Sequence, residues 1–149
     1  MSKILIKNGR ARNGEAFFKA DILTEGKKIY KIEECIEESA DFVYNAEGET
    51  ISAGFVDIHT HMKGISGEEF GISAEMVTLP FGVTAAADAS ACYGSKEILD
   101  FLTVKNCVFV CVELKNNRAY FESALACLEK YGDKAVGVKV YLDTGVSDV

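Results

Sequence analysis

The sequence predicts an α/β chain, the N-terminal half of a (β/α)8 TIM-type barrel preceded by a small antiparallel β segment. Three observations carry that expectation. Residues 1–50 break into short β-prone runs separated by Asn-Gly and Glu-Gly turn signals. From residue 51 onward, strands apolar on both faces alternate with helical stretches, the pattern of parallel βα units. The strand starts lie roughly 25 to 30 residues apart, close to the ~31 residues per unit of a ~250-residue barrel, so this chain holds about four units.

In chain order, Ile4-Leu5-Ile6, Ala20-Asp21-Ile22-Leu23 and Lys28-Ile29-Tyr30-Lys31-Ile32 read as strands, with turns at Asn8-Gly9, Asn13-Gly14 and Glu25-Gly26. Asp41-Phe42-Val43-Tyr44-Asn45 is a fourth strand, leading to a turn at Glu47-Gly48. The expected division is a small β-sandwich-like segment over residues 1–52, followed by the four βα units over 53–149. Residues 51–58 form the first barrel strand, followed by a polar loop over 63–71 and a short helix near 73–79. Residues 83–88 form the second strand, then a helix capped by Ser95 with Ile98 and Leu99 on its apolar side. Residues 107–114 form the third strand. An amphipathic helix over 118–131 carries Phe121, Leu125 and Leu128 on one side, and Gly132 ends it. Residues 135–142 are the fourth strand.

The chain carries 23 acidic against 16 basic residues, a net charge of -7. Nucleic acid and anionic membranes both reward positive charge, so neither is an expected partner. No window approaches 18 uncharged apolar residues, and the apolar run after Met1 is too short for a signal peptide. Five cysteines (Cys35, Cys92, Cys107, Cys111, Cys127) make an odd number without CxxC spacing, and read as small buried hydrophobes in a reducing compartment. The expected location is the cytoplasm. Cys107 and Cys111 fall on one strand face beside Phe109.

The chain has two histidines, and they close the apolar run Gly54-Phe55-Val56-Asp57-Ile58-His59-Thr60-His61. Side chains at i and i+2 of a strand share a face, so His59 and His61 converge at one strand end. In parallel α/β architectures that end is where chemistry gathers. Asp88, Glu113, Lys139 and Asp143 are placed at the ends of the other strands. A His-x-His pair is either two ligands of a divalent metal or two satisfied structural histidines. Lys139, inside an otherwise apolar strand, is either a desolvated nucleophilic amine able to capture carbon dioxide as a carbamate, or a strand-end cation paired with Asp143 or Glu113. In the first loop, Lys63, Glu68 and Glu69 could touch a ligand, or simply form a solvated charged surface.

The run Ile51-Ser52-Ala53-Gly54-Phe55-Val56-Asp57-Ile58-His59-Thr60-His61 resembles the first-strand signature of the amidohydrolase superfamily, the metal-dependent barrel hydrolases. Ile6-Lys7-Asn8-Gly9-Arg10 and Asp21-Ile22-Leu23-Thr24-Glu25-Gly26-Lys27-Lys28-Ile29 are similar to its opening β segment. Leu79-Pro80-Phe81-Gly82-Val83-Thr84, Ala87-Asp88-Ala89-Ser90 and Gly137-Val138-Lys139 look most like the dihydroorotase-related deacetylase branch.

That resemblance implies metal-dependent hydrolysis of an amide, N-acyl or cyclic amide C–N bond by activated water. It makes His59 and His61 metal ligands and Lys139 a carboxylated lysine that bridges two metals, in a family that holds one or two divalent ions, most often zinc. No catalytic residue is assigned. Ala53 stands where the family commonly has proline. The family also draws two histidines from the fifth and sixth strands and an aspartate from the eighth, and none of these is present in 149 residues with two histidines. The expectation is therefore an incomplete N-terminal portion of an amidohydrolase. The alternative is a non-catalytic truncated remnant or assembly module. Half a barrel leaves an apolar face and two strand edges uncovered, so self-association or pairing with a C-terminal portion is expected. A small-molecule amide is the expected substrate of the active form.

Overall fold

The computed structural model describes residues 1–65, 71–91, 94, 96–115 and 118–140, with backbone alone for 113–115. Glu68, Glu69, Cys92, Ser95, Tyr141, Leu142, Asp143 and the side chain of Glu113 lie outside the described residues. The chain divides into two compact units, Met1–Ala53 and Gly54–Val149.

The first unit is one five-stranded sheet built from β1 (Lys3–Asn13), β2 (Ala16–Glu25), β3 (Lys28–Glu33), β4 (Phe42–Asn45) and β5 (Thr50–Ile51). The order is β3-β2-β1-β4, with β5 also beside β1. The hairpins β1–β2 and β2–β3 are antiparallel, and each turns on a glycine in the left-handed region, Gly14 at φ 61° and Gly26 at φ 59°. The expected antiparallel sheet is present in β1, β2 and β3, and β4 and β5 extend it by running parallel to β1. One expectation needs correction: the segment is not sandwich-like, because the described strands of residues 1–52 form a single sheet. A parallel partner for β1 needs a crossover connection. Strands β2 and β3 with residues 34–41 provide it, a topology that alternating apolar patterns do not encode.

The β1–β2 register slips between Ile6 and Gly9, where Asn8 takes φ 61°. The buried carboxylate of Asp21 holds this bulge, accepting from Asn8 N at 2.8 Å and from Ile36 N at 2.9 Å. Leu5, Leu23 and Ile36 form the small core around it.

The second unit contains β6 (Phe55–Thr60), α1 (Ala74–Val77), β7 (Val83–Ala91), α2 (Lys96–Phe101), β8 (Lys105–Lys115), β9 (Arg118–Tyr120), α3 (Glu122–Tyr131) and β10 (Ala135–Val140). The sheet order is β10-β8-β7-β6, all parallel, so successive βα units stand side by side as in a barrel wall. Val108, Val110 and Val112 of β8 pack with Ala86 of β7, Leu99 of α2 and Cys127 and Tyr131 of α3. Each fully buried valine or leucine here contributes about 1.5–3 kcal/mol, which makes β8 the anchor of the sheet. Cys107 and Phe109 face the other side, lining an open hollow of about 290 Å³ with Val56, Ile58 and Val136. The parallel-strand half-barrel is present as expected.

Details differ. The helix expected over 73–79 is a single turn at Ala74–Val77, followed by a 3-10 turn over Leu79–Phe81 containing Pro80. Proline has no N–H to continue an α-helix. The helix expected from Arg118 begins at Glu122, because Arg118–Tyr120 pairs antiparallel with β8 instead. Its buried face is Ala124, Cys127 and Tyr131, with Leu128 packed beside it; Phe121 and Leu125 are exposed. Gly132 caps it as expected, donating to Leu128 O. Cys127 is buried and Cys107 and Cys111 are half-buried, but Cys35 is exposed, against the expectation of a buried thiol.

Candidate metal centre

His59 lies near the end of β6, where the ladder with β7 gains one residue: Asp57 pairs with Ala86, and Thr60 with Asp88. Such a bulge bends the strand and re-aims its side chains. Asp57 stabilises it locally, its Oδ1 accepting from His59 N at 3.0 Å. The rings of His59 and His61 lie 5.5 Å apart, centroid to centroid, at an interplanar angle of 70°.

Lys139 comes from β10, paired there with Cys111 of β8. Strands β6 and β10 are the two outer strands of the parallel sheet, three ladder steps apart. In a flat sheet that is about 14 Å, at ~4.8 Å per step. Yet Lys139 Nζ lies 3.0 Å from His59 Nε2. The sheet must curl to close that distance, as a barrel wall does.

His61 is half-buried, and its Nδ1 lies 2.8 Å from Ser90 Oγ. Burial pulls its pKa below the usual imidazole range; Asp88 works against that, and Lys139 and His59 reinforce it. Asp88 is fully buried at the end of β7. Its carboxylate accepts from Met62 N at 2.6 Å and from Ser90 N at 2.9 Å, tying the segment after β6 to the end of β7. Sequence reasoning placed Asp88 only as a strand-end polar residue and missed Ser90. The available signal was Ser90's position two residues beyond Asp88. Lys63 is exposed in the first loop.

No family model matches the chain. A 5-methylthioadenosine/S-adenosylhomocysteine deaminase from Thermococcus onnurineus (strain NA1) is 48% identical over 60 residues, 39% of this chain and 14% of the relative. A dihydroorotase from Staphylococcus aureus (strain MRSA252) is 42% identical over 65 residues, 43% of this chain and 15% of the relative. A dihydroorotase crystal structure superposes with a TM-score of 0.70 at 21% identity, covering 94% of this chain and 42% of that one.

Over these stretches the chain is similar to enzymes of the amidohydrolase superfamily, and it shares the fold of the solved dihydroorotase. The matched stretches span a small fraction of the curated relatives' length, and the fold match covers less than half of the solved dihydroorotase.

Members of the superfamily generally use divalent metals, and the donors in this chain meet that chemistry in part. Two imidazoles binding one tetrahedral ion at 2.0–2.1 Å would hold their ring centres roughly 5 Å apart, close to the separation found. An ammonium is no ligand, so Lys139 could join them only as a carbamate. Among the described residues no group of three or more His, Cys, Asp or Glu side chains can hold a metal ion. With an ion bound, His59, His61 and Lys139 would supply at most part of its coordination shell. Among the described residues, no helix is long and apolar enough to cross a membrane.

Proposed function

We propose that the chain contributes to a metal-dependent amidohydrolase that hydrolyses an amide, N-acyl or cyclic amide C–N bond, with His59, His61 and Lys139 as its share of the metal ligands. The convergence of Lys139 and His59 from opposite edges of the curled sheet is the observation that supports this reading best. A bound divalent ion, zinc by preference, supplies Lewis-acid activation of water and of the scissile carbonyl. This chain's own residues do the positioning. Asp57 fixes the strand bulge behind His59, and Asp88 fixes the backbone of Met62, next to His61, and of Ser90. The hollow lined by Ile58 and Phe109 is apolar, suited to excluding water from the barrel interior. Among superfamily branches, the dihydroorotase and deacetylase group is the one proposed, and a small amide is the proposed substrate.

A second reading, a non-catalytic remnant or assembly module, is favoured by the shortage of metal-binding groups among the described residues. A zinc-supplemented hydrolysis assay separates the two. It is run on the chain as it stands and on the chain extended by the coding sequence following Val149. The substrates are cyclic amides and N-acyl amino acids. Turnover in either form that disappears in His59→Asn supports the hydrolase. Inactivity of both, with an extension lacking further histidines, contradicts it.

A further inference from the structure

We propose that Ser90 is a positioning residue for His61, its hydroxyl accepting the Nδ1–H of the imidazole so that the ring's lone pair stays on Nε2. The inference deepens the metal-ligand reading and rests on it for its purpose, though the tautomer itself can be observed without any metal.

Ser90 Oγ and His61 Nδ1 lie 2.8 Å apart, a full hydrogen bond in either direction. A neutral imidazole carries one N–H, and the partner of one ring nitrogen decides which atom keeps the lone pair. If the serine accepts, Nε2 is the donor atom presented to a cation. If it donates, Nε2 is protonated and His61 can ligate only after losing that contact.

The backbone that carries the hydroxyl has a buried anchor. Asp88, fully buried, accepts the backbone N–H of Ser90 through Oδ1 and that of Met62 through Oδ2. One carboxylate thus fixes the backbone of the serine and the residue that follows His61. The backbones next to the ring and beneath the hydroxyl are held from the same anchor, which keeps the two side chains within reach of each other. The anchor's negative charge also favours an N–H, and not a lone pair, on the side of the ring facing β7. A ligating histidine whose second nitrogen donates to an oxygen is oriented and made more basic by it, and losing that partner typically costs 10–100-fold in metal affinity.

The test uses the full 149-residue chain with 15N-labelled histidine, metal-stripped, at about pH 8.5, above the ordinary imidazole range. Long-range 1H–15N spectra report each ring's tautomer. Wild type is expected to show His61 protonated at Nδ1. Ser90→Ala should shift it toward Nε2–H, and Ser90→Thr, which keeps the hydroxyl, should restore the wild-type pattern. The His59 signals serve as the internal check that the fold is retained. A wild-type His61 protonated at Nε2, or a tautomer unchanged in Ser90→Ala, overturns the proposal. Zinc titration of the same variants separates the two claims. A 10–100-fold weaker affinity in Ser90→Ala, recovered in Ser90→Thr, supports the role toward the metal. A wild type that binds no zinc but keeps the serine-dependent tautomer contradicts the metal reading and leaves the serine's action on the ring standing.

Discussion

Lys139 Nζ and His59 Nε2 sit 3.0 Å apart although 80 residues separate them in sequence. The contact joins the first and last strands of the parallel sheet. Carbamate formation on Lys139 follows from the proposed role, and it is directly visible. With 13C-bicarbonate and zinc, a carbamate carbon resonance is expected in wild type and absent in Lys139→Ala. A spectrum without that resonance removes Lys139 from the ligand set.

Gly54, in the first-strand motif, is required by close packing. A Cβ there would lie 2.1 Å from Thr84 Oγ1 and 2.3 Å from its Cγ2. Gly54→Ala is expected to cost about 1–3 kcal/mol in urea unfolding. Because the obstacle is a side chain, Thr84→Gly in the same chain should recover part of that loss, a non-additive pair. Gly94 differs: its Cβ would meet the backbone O of Gly64 at 2.0 Å, so no single side-chain change rescues Gly94→Ala. Equal losses with and without Thr84→Gly would refute the packing explanation.

Asp21 predicts an acid-sensitive first unit. Burial acts to raise its pKa, but the N–H groups of Ile36 and Asn8 and the charges of Lys7 and Lys19 outweigh it and hold the carboxyl below the usual range. The folded state then binds fewer protons than the unfolded chain. Its contribution is present above the ordinary carboxylate pKa and is lost as pH falls through the lowered folded value. Asp21→Asn should cost about 1.5–3 kcal/mol at neutral pH and flatten the acid limb of the stability profile. An unchanged acid limb would assign that dependence to other groups.

The two outer strands expose Val56 and Ile58 on β6 and Val136, Val138 and Val140 on β10, each about half or more accessible. Such edges favour association. Light scattering coupled to size exclusion is expected to show concentration-dependent self-association, reduced by Val138→Lys. A cooperatively folding monomer at every concentration would contradict this expectation.

The parallel units and the histidine pair were legible because both are local. Apolar runs mark β6, β7, β8 and β10, and the i, i+2 spacing marks His59 and His61. What failed depends on distant partners. Arg118–Tyr120 joins β8 because that strand's edge is available there, and no helical period records it. Phe121 and Leu125 look like a helix core face by composition, yet Ala124, Cys127 and Tyr131 are buried. Tyr131 turns inward because its hydroxyl donates to Gly94 O at 2.8 Å, a partner 37 residues away. Ser90 escaped notice for the same reason: only the fold brings it to His61.

Zinc titration calorimetry on the intact chain tests most directly whether these side chains form one ion site. Wild type is expected to bind zinc with near-unit stoichiometry, and His59→Asn and His61→Asn to abolish the binding. Zinc uptake unaffected by both substitutions, or none in wild type, would contradict the account.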